Sequence, residues 1–131
     1  MKKRLMVVDD ALFMRKLIRD VAEEAGLDVA GEAANGAEAV LLYADLRPDL
    51  VTMDLVMPVM GGLEALRQIR AMNPGAQVVV VTALDQKQAL MDSIRDGAVD
   101  FIVKPFDRQR VLNLFKKLSE AAPVASGPIA S

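Results

Sequence analysis

The chain has 131 residues, 53% of them hydrophobic, so one domain with a substantial buried core is the expectation. Sixteen Lys and Arg against eighteen Asp and Glu leave a formal charge of −2, spread along the chain without a basic stripe, which argues against direct nucleic-acid binding. Neither cysteine nor histidine occurs, which excludes thiol redox chemistry, thiolate or histidine metal sites, histidine-dependent triads and an internal phosphohistidine.

Met1-Lys2-Lys3-Arg4 carries the charge of a signal-peptide start, but the apolar stretch Leu5 to Val8 is cut short by Asp9 and Asp10. No apolar run approaches the roughly 20 residues of a spanning helix. A soluble protein in the reducing cytoplasm is therefore expected. Leu5 to Val8 reads as a first strand, and Phe13, Leu17 and Val21 repeat at the spacing of a helix with that face inward. Asp10 has the chemistry of this helix's N-cap, and Gly26 stands where the helix should stop. The weaker run Val29 to Ala33 predicts a second strand, and Asn35 followed by Glu38 predicts a capping box at the next helix.

Leu50 to Met53 is the third strand, and Leu63, Leu66 and Ile69 mark the third helix, which Asn73-Pro74-Gly75 ends in a turn. Val78 to Val81 follows as a fourth strand. Asp85 with Gln88 predicts a second capping box, and Gly97 a second helix stop. Phe101 to Val103 is the fifth strand, and Val111, Leu114, Phe115 and Leu118 mark the last helix. Continuous apolar runs alternating with helices are the signature of strands buried on both faces, hence an open, doubly wound parallel α/β sheet. After about Ala122 the composition turns to Pro, Ala, Ser and Gly. The domain is therefore drawn as 1–122, and 123–131 as a disordered tail or the start of an interdomain linker.

In such sheets the ligand site forms beyond the carboxyl ends of the strands. The first strand delivers Asp9 and Asp10 there, the third Asp54, the fourth Thr82 and the fifth Lys104, while Glu32-Ala33-Ala34-Asn35 after the second offers no obvious reactive group. Neighbouring carboxylates repel unless a cation lies between them, and acids with few other ligands suit a hard ion such as Mg²⁺. A carboxylate can be a nucleophile toward phosphorus, for which Asp54 is the candidate. An ammonium and a hydroxyl would then stabilise the phosphoryl oxygens, tasks that Lys104 and Thr82 fit. Singly, each of these residues is an ordinary strand end or cap, and Phe101 and the eight methionines are packing material. Met57-Pro58 and Gly61-Gly62 read as turn chemistry that shapes the loop after Asp54.

The segments Val7-Val8-Asp9-Asp10, Met53-Asp54 with Met57-Pro58 and Gly62, Val81-Thr82-Ala83, and Phe101-Ile102-Val103-Lys104-Pro105-Phe106 resemble, in order, the response-regulator receiver family, CheY-like. The resemblance spans about residues 4 to 121. It implies a flavodoxin-like (βα)5 fold with strand order 2-1-3-4-5. It further implies a signalling switch rather than an enzyme, in which Asp54 accepts phosphate from the phosphohistidine of a partner sensor histidine kinase. Asp9, Asp10, Asp54 and the backbone carbonyl of Val56 would hold Mg²⁺, Lys104 would pair with the phosphoryl group, and the Lys104-Pro105 peptide would be cis. Thr82 and Phe101 would move together and remodel the surface of the fourth helix, fifth strand and fifth helix for a protein target.

The opening Ala11-Leu12-Phe13-Met14-Arg15 and the stretch Asp100 to Phe106 resemble stand-alone chemotaxis regulators, with the flagellar motor switch as target. A receiver fragment of a chemotaxis methylesterase and a phosphorelay intermediate are the alternatives. Val56 and Leu84 stand where the family often carries polar groups, so neither can orient a water and slow self-dephosphorylation is expected, with lifetime left to an external phosphatase. An aspartyl-phosphate phosphatase of the haloacid dehalogenase type would need a second acid at Val56 and a cap region. A pseudo-receiver would not need all five polar groups, and neither a Walker loop nor G-x-G-x-x-G follows the first strand.

Overall fold

A computed structural model describes residues 2–120, so the segment 123–131, expected as a tail or linker, lies outside the described residues. Five strands alternate with five helices: β1 (Arg4–Val8), α1 (Leu12–Glu24), β2 (Asp28–Ala33), α2 (Gly36–Leu46), β3 (Leu50–Asp54), α3 (Gly62–Met72), β4 (Val78–Ala83), α4 (Lys87–Arg95), β5 (Asp100–Lys104) and α5 (Arg108–Glu120). All strand pairs are parallel and the order is β2-β1-β3-β4-β5, the flavodoxin-like arrangement that the resemblance implied. Each predicted apolar run lies within a strand. The strands gain a residue or two at their ends because main-chain pairing, unlike hydrophobicity, extends into Asp54 and Lys104.

Alternation along the strands feeds two cores. Leu5, Val7, Leu50, Val79, Val81 and Ile102 meet α1 and α5 on one face, through Ile18, Val21, Ala22, Val111, Leu112 and Phe115. Met6, Val8, Val51, Met53, Val78 and Val80 meet α2 and α3 on the other, through Ala39, Tyr43, Ala65, Leu66 and Ile69. Each fully buried Val, Leu or Ile contributes about 1.5–3 kcal/mol, so these layers dominate the favourable energy of folding. Among the described residues no helix is long and apolar enough to cross a membrane.

Three local expectations need correction. The inward face of α1 is Ile18, Val21 and Ala22 with Met14 packed beside them, while Phe13 is 65% exposed and Leu17 also faces outward. Both stripes have helical spacing, and the position of α1 over β1 selects one. Asp10 is not the N-cap of α1: that residue is Ala11, with no side-chain cap. Asp85 and Gln88 form no capping box, because α4 starts only at Lys87 behind Gln86, again without a side-chain cap.

Asn35 does cap α2, accepting from the Glu38 N–H at 2.9 Å, and Glu38 Oε1 reaches back to the Ala34 N–H, one residue before the cap. Gly26 and Gly97 follow the ends of α1 and α4 with φ of +91° and +105°, conformations that glycine adopts without a Cβ penalty. After Asn73 the chain turns as predicted, with its side chain accepting from the Gly75 N–H at 3.0 Å.

Candidate functional site

The carboxyl ends of β1, β3, β4 and β5 bring the predicted groups to one edge of the sheet. Asp9 and Asp54 are buried, Asp54 at 6% exposure, and Asp10 beside them is exposed. One carboxylate oxygen from each of the three lies within 4.8 Å of the others. Lys104 spans the cleft from β5: its Nζ donates to Asp9 Oδ2 at 3.0 Å and to Asp54 Oδ2 at 3.2 Å. Asp54 and Lys104 share strand parity with Leu50 and Ile102 and so leave the sheet on the α1/α5 face.

Thr82 is buried and has the opposite parity. It follows Val80 by two positions on the face that Phe101 also occupies, since Val80 is the register partner of Phe101. Its hydroxyl has a long contact to the Ala83 carbonyl at 3.4 Å, which leaves it little held. Phe101 is partly buried against the α2/α3 core. The Lys104-Pro105 peptide is cis. Pro105 and Phe106 follow directly and lead into α5.

The loop after β3 is shaped by close approach. The Gly62 N–H donates to the Leu55 carbonyl at 3.1 Å, and a Cβ at position 62 would lie 2.0 Å from the Asp54 carbonyl oxygen. Only glycine fits there, so the turn that presents Asp54 rests on that residue. Upstream, Met60 N–H bonds to the Pro58 carbonyl at 2.7 Å across Val59, whose φ is +68°, a γ-turn that is strained for a β-branched residue. Val56 donates its N–H to Asp54 Oδ1 at 3.3 Å, and its side chain is 60% exposed. Leu84, two residues after Thr82, is 72% exposed. The site mouth is therefore flanked by two apolar side chains.

Burial, and after it the charge of Asp9, raises the Asp54 carboxyl above its ordinary range, against the opposing pull of Lys104 and the Val56 N–H. Burial favours the neutral form of Lys104, but its hydrogen bond to Asp9 and the charges of Asp54 and Asp9 outweigh that and hold the amine above its ordinary value. The ammonium shared between two carboxylates is thus well compensated, whereas burial and the neighbouring acid leave Asp54 less so. Three carboxylates against one ammonium leave two uncompensated negative charges in a partly buried cleft. An all-oxygen donor set with that surplus fits a hard divalent cation such as Mg²⁺.

Sequence reasoning passed over Arg15 and Glu32. Arg15 Nη1 donates to the Asp9 carbonyl at 2.7 Å and its Nε to Glu32 Oε1 at 3.0 Å. Arg19 holds the other Glu32 oxygen, with Nε at 3.0 Å and Nη2 closer still. Burial alone would raise the Glu32 carboxyl, but Arg19 and Arg15 outweigh it and hold it below its usual range. No sequence spacing announces contacts that only the adjacency of α1 and β2 creates.

Residues 5–116 match the family model of the response regulator receiver domain. The chain is 47% identical over 120 residues to the chemotaxis protein CheY of Thermotoga maritima, covering 92% of this chain and all of that one. It is 40% identical over 132 residues to a protein-glutamate methylesterase/protein-glutamine glutaminase of Pyrococcus abyssi, covering 94% of this chain but 36% of that protein. Its fold superimposes on a chain of the CheX-CheY-BeF3-Mg complex of Borrelia burgdorferi with a TM-score of 0.80, at 35% identity, over 85% of this chain and 84% of that one. With five strands in the order 2-1-3-4-5, an acid cluster at their carboxyl ends and these relatives, the chain belongs to the response-regulator receiver family.

Proposed function

We propose that this receiver is a phosphorylation-operated switch in chemotaxis, with Asp54 as the acceptor. The observation that carries the reading is the convergence of Asp9, Asp10 and Asp54 within 4.8 Å, with Lys104 bridging two of them. The donor is the phosphohistidine of a partner kinase, because this chain has no histidine of its own. An Asp54 carboxylate oxygen forms a bond to phosphorus as the P–N bond to the partner's imidazole breaks, and the imidazole leaves with the electron pair and takes up a proton from water.

Lys104 follows the charge from the acids onto the transferred group, which replaces one carboxylate partner by phosphoryl oxygens. Asp9, Asp10, Asp54 and the Val56 carbonyl would hold Mg²⁺, which when bound neutralises charge on the acids and on the phosphoryl oxygens. The weakly held Thr82 hydroxyl turns to a phosphoryl oxygen, and Phe101, on the same face of the sheet, moves into the space released. The surface of α4, β5 and α5 is thereby changed for a protein target, which in this reading is the flagellar motor switch. The CheX-CheY complex of Borrelia supports a CheX-like protein as a further partner.

Incubation with Mg²⁺ and acetyl phosphate followed by intact mass tests the reading. The wild-type protein should gain one phosphoryl group and Asp54→Asn none, whereas an unmodified wild type would remove the basis for the switch. Because Val56 and Leu84 offer no group to orient a water, the phosphorylated protein should lose its phosphate slowly, and Val56→Asn should shorten its lifetime several-fold. The match to the methylesterase supports a second reading, a receiver that controls an attached catalytic domain. Phosphorylation-dependent binding of this chain alone to motor-switch protein would favour the first reading, and its absence the second.

A further inference from the structure

Asp9 has every polar group engaged. Its N–H donates to the Ala33 carbonyl at 3.1 Å, Oδ1 accepts from the Ala11 N–H at 2.9 Å, Oδ2 accepts from Lys104, and its carbonyl accepts from Arg15 Nη1 at 2.7 Å. Three of these contacts come from the neighbouring strand β2, the turn after β1 and the site itself. The fourth comes from a cation one turn into α1 that touches no other part of the acid cluster in its hydrogen bonds. Arg15 is half-buried and its fork is divided between the Asp9 carbonyl and Glu32 on β2, which Arg19 braces from the other side. The α1 N-terminus has no side-chain cap, so this fork is a principal polar tie between the helix and the first acidic residue.

We infer that Arg15, locked by Glu32, is a positioning residue for Asp9 and through it sets the affinity of the acid cluster for its divalent cation. The inference rests on the magnesium reading above and deepens it. Rigid second partners of this kind fix the direction of a ligand, and their loss typically weakens metal binding by about 10–100-fold. The sign of the effect separates positioning from charge. A guanidinium beside three carboxylates repels a cation, so by charge alone its removal would tighten binding; by positioning, its removal weakens it. A role limited to gluing α1 to the sheet would lower stability and leave the affinity of folded molecules unchanged.

Titration of the unphosphorylated protein with Mg²⁺ alone, followed by backbone amide shifts of Asp9 to Ala11 or by calorimetry, tests this. Thermal unfolding in parallel gives the folded fraction. Arg15→Ala should raise the Mg²⁺ Kd about tenfold. Arg15→Lys keeps the charge but cannot divide a planar fork between two acceptors, so it should also bind several-fold more weakly, and it decides the matter if Arg15→Ala does not fold. Unchanged or tighter binding in Arg15→Ala, or wild-type affinity in Arg15→Lys, overturns the inference. A wild-type protein that takes up no Mg²⁺ overturns the magnesium reading and this inference with it, whereas wild-type binding matched by both variants overturns this inference alone.

Discussion

The strand that carries Asp54, β3, and the helix three elements beyond it, α4, are built to opposite standards. All five residues of β3 are buried, it is paired on both sides, and the loop after it closes on Gly62 with no room for a methyl group. Helix α4 has Ser93 as its buried residue, turns Met91 and Ile94 outward, and is tied at its end by the exposed Arg67–Asp96 pair. The contrast teaches a division of labour. Phosphoryl transfer needs groups held within tenths of an ångström before the reaction, whereas an output surface needs an element whose two positions differ little in free energy. In the proposed reading the first is met by burial and steric closure, the second by sparse packing.

Two glycine substitutions compare the halves most strongly. Gly62→Ala puts a Cβ against the Asp54 carbonyl, where backbone must shift, and should cost about 3 kcal/mol. Gly97→Ala, behind α4, meets only the movable end of Arg70 and the strain of a positive φ, so it should cost about 1–2 kcal/mol. Urea unfolding measures both, and equal costs would break the comparison. Next in size, Asp54→Asn should stabilise the protein by about 1 kcal/mol in the absence of metal. The sign follows from a carboxyl raised in the fold by burial and Asp9: its ionisation disfavours the folded state above its folded pKa, and this penalty fades as pH falls through that value. A destabilised Asp54→Asn would mean that the cluster is not under charge strain.

The smallest effect concerns Glu32. Although burial opposes it, the pairing with Arg19 and Arg15 lowers this carboxyl in the fold, so its stabilising contribution is present above the unfolded pKa and is lost as pH falls through the folded one. Stability should therefore drop on acidification below about pH 4.5, and Glu32→Gln should reduce that drop by about 0.5 kcal/mol, since its partners are partly exposed. An unchanged acid limb would show that the α1–β2 tie contributes nothing to stability.

What the sequence disclosed depended on how local each signal was. The strands were legible because β1, β3 and β4 are mainly apolar runs ended by Asp or Thr, Thr52 being the one polar residue inside β3, as strands buried on both faces require. The approach of Asp9, Asp10, Asp54 and Lys104 to one another was legible because parallel strands deliver their last residues to one edge. The face of α1 was misread because Phe13 and Leu17 repeat at the same interval as Met14 and Ile18, and only the position of the sheet distinguishes them. The start of α4 was misread because Asp85 is as good a cap by chemistry as Asn35, yet the chain continues past it before winding up. Arg15 and Glu32 escaped notice because 17 residues separate partners that meet only through the fold.

The acceptor itself can be located chemically. After incubation with Mg²⁺ and acetyl phosphate, borohydride reduction converts an aspartyl phosphate to homoserine, and peptide mass mapping then reports its position. Conversion at position 54, dependent on Mg²⁺ and absent when donor is omitted, is the predicted result. Conversion at Asp9 or Asp10, or at no carboxylate in a protein that has gained phosphate, would contradict the assignment of Asp54.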